Sequence, residues 1–228
     1  MIILKMSGGL GNQMFQYALY KQLEYMGRNI LMNDYTYYES EGTRTRQIDI
    51  FNLEYQCATR EEINKLTDSS LFIKDRIRRK IFGRKSKVYK EKHVHFDPMV
   101  FELTDAYLEG YWQSERFFPN VKEHLLESFR FPEPNTVKNK KYLQEIKLKN
   151  SVGVHIRRGD YLLKKYSGLY EGICTQEYYE KAFQQMRIWY PDCHFFLFSN
   201  DAEWAIEHYR ENNYTIICGN DENNGYYD

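Results

Sequence analysis

Two adjacent arginines, Arg157 and Arg158, followed by Gly159 and Asp160, close the run Val152-Gly-Val-His-Ile-Arg-Arg-Gly-Asp-Tyr161. Planar guanidinium forks donate charge-assisted hydrogen bonds in pairs, which suits a phosphate or a carboxylate. The alternation of Val152, Val154 and Ile156 predicts a strand that delivers these groups to its carboxyl end, where open α/β sheets bind ligands. Asp160 suits holding one arginine in place, or accepting from a base or a sugar hydroxyl. The plainer alternative is a strand end with a surface Arg–Asp pair, which contributes little stability.

Two further segments carry polar groups in useful order. Ser199-Asn200-Asp201 follows the apolar run His194-Phe-Phe-Leu-Phe198. Its short side chains suit a base or a ribose, and all three types are equally favoured as helix caps. Near the start, Gly8-Gly-Leu-Gly-Asn-Gln13 follows one apolar run and opens another. A helix N-terminus there offers backbone N–H groups to a phosphate or sugar. Gly9 and Gly11 match the first two glycines of the dinucleotide fingerprint, but Met14 occupies the third position and obstructs close helix–strand packing. That argues against a nicotinamide site. A backbone-donor loop with Asn12 and Gln13 as ligands for sugar hydroxyls fits better.

Metal chemistry has weaker support. His93-Val-His-Phe-Asp97 places two histidines and an aspartate at period two, a metal-ligand pattern that is more simply a surface strand face. No Asp-x-Asp occurs in the chain, so a metal-free site with arginine as the counter-charge is expected.

The elements that must position these groups alternate. A strand from Ile2, a helix from Asn12 to Met26 with apolar residues at helical spacing, a stop at Gly27 and a second strand toward Asp34 form the first unit's opening. Residues from about 59 to 92 read as helical and polar, and Tyr107-Leu-Glu-Gly-Tyr-Trp-Gln-Ser-Glu115 as a strand running into a turn. Phe131-Pro-Glu-Pro-Asn and the lysine-rich stretch after it mark a boundary. The expected division is an α/β domain over 1–135, a linker over 136–150 and a second α/β unit over 151–228. In that second unit Thr175 caps a helix ended by Pro191, and helical turns from Ala202 lead to a strand at Thr215–Cys218. Strands alternating with helices predict parallel sheets. Three strands and two helices make a thin layer, so the second unit is expected to be incomplete.

Bulk properties narrow the class. The 228 residues hold 32 Lys plus Arg against 32 Asp plus Glu, so overall charge gives no support for nucleic-acid binding. With 21 Tyr and 14 Phe, surfaces that stack on bases or sugar rings are plentiful. No apolar run approaches the roughly 18 residues of a membrane span. Cys57, Cys174, Cys193 and Cys218 are scattered, without a C-x-x-C pair, which fits a reducing cytoplasm. Charge is uneven, however: ten basic residues lie between Lys74 and Lys92, interrupted only by Asp75 and Glu91. Such a block suits a solvated face or peripheral contact with anionic membrane.

Four segments, Gly8-Gly-Leu-Gly-Asn-Gln-Met-Phe-Gln-Tyr-Ala18, Gly110-Tyr-Trp-Gln-Ser-Glu115, His155-Ile-Arg-Arg-Gly-Asp-Tyr161 and Phe198-Ser-Asn-Asp201, together resemble the bacterial α-1,2-fucosyltransferases of glycosyltransferase family 11. The resemblance implies a GT-B-like fold, two Rossmann-like domains facing a cleft, with GDP-β-L-fucose as donor and no metal. Fucose would pass with inversion to the 2-hydroxyl of a galactose-containing oligosaccharide in surface-glycan (lipopolysaccharide O-antigen) synthesis, at the inner face of the cell membrane. It implies that Arg157 contacts the donor diphosphate, that Arg158 and Asp160 complete that motif, and that His155 and Asp201 line the guanosine pocket. Asn12 would lie at the donor–acceptor cleft. Asp34 and Glu115 are candidates for a base by chemistry alone. The family carries a further Asn-Ser-x-Phe-Ser-Trp-Trp-like motif that would follow Asp228. The expected lack of it leaves a truncated, non-catalytic nucleotide-sugar or glycan-binding remnant as the alternative, and a fucosyltransferase of another linkage is a separate one.

Overall fold

Four short parallel strands carry the first unit. In the computed structural model, which describes residues 1–41, 45–92, 95–158, 173–220 and 225–227, β1 (Ile2–Lys5), β2 (Ile30–Asn33), β3 (Val88–Lys90) and β4 (Ala106–Glu109) lie in the order β2-β1-β4-β3. Strands buried on both faces read as apolar runs, and Ile2, Ile3 and Leu4 are all buried accordingly. Helix α1 (Leu10–Tyr25) packs one face through Tyr17, Ala18, Leu19, Tyr20 and Leu23 and ends at Gly27, whose φ of 72° is left-handed. Met14, the residue that displaces a third fingerprint glycine, packs against this core.

Around the sheet lie α2 (Thr36–Glu41), α3 (Arg60–Thr67), α4 (Ile73–Phe82) and α5 (Lys122–Ser128). The polar stretch 59–92 is thus two helices and a strand. Thr59 and Glu62 form a reciprocal capping box that starts α3, Asp68 ends it in a left-handed conformation (φ 52°), and Gly83 ends α4. The expected strand face at 93–97 is not formed at its described residues. Asp97 instead accepts from the Met99 N–H (3.0 Å) and caps a 3₁₀ turn over Pro98–Phe101. An aspartate before a proline is suited to that cap, because proline at the first helical position sacrifices no needed N–H.

The second unit is also parallel: β5 (Asn150–Ile156), β6 (Cys193–Ser199) and β7 (Tyr214–Ile217), in that order. Its core joins Ile156, Phe183, Cys193, Phe195 and Leu197. Helix α7 (Gln176–Trp189) is capped by the Thr175 hydroxyl, as the sequence predicts, and α8 (Ala202–His208) follows β6. The stretch 136–150 is not a linker but mostly helix α6 (Val137–Leu148). Thr136 caps it by accepting from the Asn139 N–H (3.1 Å), and the buried Asn139 side chain donates to Asn220 (2.9 Å) beyond β7. The compact units are Met1–Pro132 and Glu133–Asp228. Each is an α/β arrangement of the Rossmann-like kind. Among the described residues no helix is long and apolar enough to cross a membrane.

Candidate functional site

At the carboxyl end of β5 the two arginines take different surroundings. Strand pleating sends neighbouring side chains to opposite faces, so Ile156 enters the core while His155 is exposed. Arg158 lies two residues past Ile156. Its guanidinium stacks 3.9 Å over the Trp204 ring, its Nε donates to Asp201 Oδ2 (3.4 Å), and its backbone N–H donates to Asn200 Oδ1 (2.8 Å). Asp201 is itself committed, since its Oδ1 accepts from the Trp204 N–H (3.2 Å) and so caps α8. The Ser199 hydroxyl accepts from the Asp201 N–H (3.1 Å). Asn200 and Asp201 therefore brace the two strand ends against each other, and Asp201 takes the capping role that its residue type allows. With Arg158 and Asp201 about a third exposed, this pairing fixes geometry more than it stabilises.

Arg157 is exposed beside this braced cluster. Of the two arginines expected to act as a pair, Arg158 is thus held in a stack. The His155 carbonyl accepts from the Tyr179 hydroxyl (3.2 Å), and burial above all pushes that phenol up to about 12, so it stays a donor at neutral pH. Asp160 lies outside the described residues.

In the first unit the glycine segment is mostly helix. Gly9 is the N-cap and Gly11 and Asn12 lie in the first turn, so the loop expected there is shorter than its glycines suggest. Gly8 is left-handed (φ 78°), and a Cβ on it would meet Asn12 Nδ2 at 2.5 Å. Asn12 Oδ1 accepts from Gln113 Nε2 (2.7 Å), which joins the segment to the Gly110–Glu115 turn across 101 residues of chain. That turn is held from below by Glu91, whose Oε2 accepts from the N–H groups of Tyr111 (2.7 Å) and Trp112 (3.2 Å). Gly110 makes room for it, since a Cβ there would stand 2.6 Å from Glu91 Cβ. Tyr111 is exposed at the rim.

Gln13 does something other than bind a hydroxyl. It is fully buried, and its amide is occupied by main chain: Nε2 donates to the Gly8 (2.9 Å) and Thr45 (3.1 Å) carbonyls, and Oε1 accepts from Gln47 and Ile48 N–H (both 2.9 Å). Gln16 and Gln22 tie other loops through both main chain and side chains. Gln16 donates to the Gly110 carbonyl (2.8 Å), and Gln22 exchanges bonds with Asn120 (3.0 Å each way).

Neither candidate base is poised. Asp34 accepts from Tyr55 (2.9 Å) and from Arg46, and Glu115 is largely exposed on a short 3₁₀ turn. His93 lies outside the described residues, and Asp97 also accepts from the Tyr89 hydroxyl.

Residues 1–224 match the family described as Glycosyl transferase family 11. The chain belongs to that family. Among curated relatives, an alpha-1,2-colitosyltransferase from Escherichia coli is 31% identical over 92% of this chain and 72% of its own length. The O-antigen biosynthesis glycosyltransferase WbnK from Escherichia coli is 25% identical over 93% and 77%. Galactoside alpha-(1,2)-fucosyltransferase 2 from Pongo pygmaeus is 25% identical over 58% of the chain and 38% of its own. No solved structure gives a significant match.

Two residues of this family 11 protein escaped the sequence reading. Trp204 stands three positions after a capping aspartate, close enough to roof Arg158. Glu91 looked like a break in a basic block, and nothing local signals that it carries the Gly110 turn.

Proposed function

We propose that this protein transfers L-fucose from GDP-β-L-fucose to the 2-hydroxyl of a galactoside, with inversion and without a metal, in surface-glycan synthesis. Family 11 membership across residues 1–224 is the observation that carries the proposal, and the α-1,2 linkage in two relatives' names supports the regiochemistry. In this proposal the two units are the halves of a GT-B-like enzyme, the first binding the acceptor and the second the donor.

The chemistry follows from charge. As the fucose–phosphate bond lengthens, negative charge grows on the departing GDP while the sugar becomes oxocarbenium-like. Arg157 meets that charge, and a fixed cation interacts more strongly as charge develops, so it lowers the barrier as well as the binding energy. Arg158 is a positioning residue: stacked on Trp204 and paired with Asp201, it holds the β5 and β6 ends at which His155, Ser199 and Asn200 meet the diphosphate and guanosine. On the acceptor side Asn12, oriented by Gln113 and seated over Gly8, places the attacking hydroxyl, with Gly9 and Gly11 leaving the α1 N-terminus open. Alignment then replaces much of the work of a strong base.

The 31% identity to an alpha-1,2-colitosyltransferase favours a second donor, activated colitose. Incubation with a β-galactoside and each nucleotide sugar separately, in EDTA, followed by mass and linkage analysis, decides between them. Fucosylated product with an α-1,2 linkage is expected; colitose transfer alone replaces the donor, and transfer abolished by EDTA overturns the metal-free scheme.

A further inference from the structure

Helix α4 is built inside out. A surface helix ordinarily turns its apolar stripe to the core and its charges to water. In α4, Arg78 is paired with the nearly buried Asp68, and Arg79 lies 3.7 Å from the same carboxylate and donates to the Ser70 carbonyl (2.6 Å). The isoleucines at 73, 77 and 81, spaced four apart and so stacked on one face, point away from the body. They are 74%, 54% and 65% exposed, and α4 has no buried residue at all. Leu71, Phe72 and Phe82 add 86%, 71% and 71% exposed apolar side chains at the helix ends. A groove lined by Ile73, Arg76, Ile77 and Lys80 runs along this face. Contiguous apolar surface rimmed by charge marks a contact site.

We propose that α4 lies on an anionic bilayer surface, with its isoleucine stripe among the upper acyl chains and its exposed cations against lipid head groups. Charge selects this occupant. Lys74, Arg76 and Lys80 flank the stripe on the helix, and Arg84 and Lys85 continue beyond its end, all exposed. A second copy docking through the same stripe would set these cations against their own equivalents, whereas an anionic surface neutralises them and receives the apolar face at once. Ten residues with this many charges lie in the interface and do not span it. The proposal is independent of the transfer reaction, because it rests on exposure and charge alone.

Flotation of the whole chain with vesicles tests it. Vesicles of phosphatidylcholine with roughly a third phosphatidylglycerol should carry the protein upward at low salt, and phosphatidylcholine alone should not. Neutralising Arg76 and Lys80 to Gln should weaken binding about fivefold per charge. Ile77→Ser should weaken it by about tenfold or more while circular dichroism and thermal midpoint stay unchanged, because that side chain supports nothing beneath it. Three results overturn the proposal: no flotation, flotation indifferent to Ile77→Ser, or a dimer in sedimentation that Ile77→Ser dissolves without any vesicle binding.

Discussion

Replacing Gln13 by leucine separates a strap from a substrate ligand. The substitution keeps bulk and apolar stem but strands four main-chain groups: the carbonyls of Gly8 and Thr45 and the N–H groups of Gln47 and Ile48. Gln13 has no exposure, so water cannot replace the amide without entering the core. At about 1 kcal/mol net per lost bond, the cost is about 4 kcal/mol. Set against the roughly 5–15 kcal/mol of an ordinary domain, that loss is severe. Urea unfolding followed by tryptophan emission measures it, since Trp112 is the tryptophan of the first unit and is fully buried. Glutamate at the same position sharpens the test. One of its oxygens would still accept from Gln47 and Ile48, while the other would face two carbonyl oxygens and need a proton. Its folded pKa is therefore raised above the ordinary value of about 4.3, so Gln13→Glu should be least destabilised below that pH and lose stability as pH rises through the folded value. A leucine variant that loses less than about 1 kcal/mol but shows a higher KM for donor or acceptor would refute the strap and restore Gln13 as a ligand.

Other expectations are quickly checked. Arg157→Ala should cut turnover about a hundredfold or more, and near-normal turnover would remove Arg157 from the donor site. Gly110→Ala drives a methyl into Glu91 and Trp112 and should cost about 1–3 kcal/mol in denaturant unfolding; a neutral result would mean the turn simply shifts. In the second unit, burial and then the neighbouring Lys149 ammonium hold the His194 imidazole below its usual value. A depressed folded pKa makes its contribution present above the unfolded value of about 6.5 and lost as pH falls through the folded one. Thermal midpoints should drop over that window, and His194→Gln should flatten the drop.

Much of this fold was legible because it rests on local signals. The alternation of Val152, Val154 and Ile156, the Thr175 cap and the Gly27 stop each follow from a few adjacent residues, and each stands where the sequence places it. Helix α6 was hidden by its lysines and weak apolar stripe, since the lysine-rich composition resembles a linker until the Thr136 cap and the Asn139–Asn220 contact are seen. The site divides in the same way. A strand end bearing Arg157 is written locally, whereas the choice of Arg158 as the braced member depends on Trp204, and Asn12's orientation depends on Gln113 about a hundred residues away. The isoleucines of α4 look like core from spacing alone. Only the pairing of Arg78 and Arg79 with Asp68 turns them outward.

The glutamine straps along α1 also bear on how such a protein can change. Gln13 grips only main-chain atoms of residues 8, 45, 47 and 48, and Gln16 takes the carbonyl of residue 110. An anchor that ignores side chains lets the side chains drift. Thr45, exposed, can exchange identity while the segment stays pinned, whereas Ile48 is also held to type by its burial in the core. At 47 and 48 the main chain itself is under constraint, because proline there would have no N–H to offer Gln13.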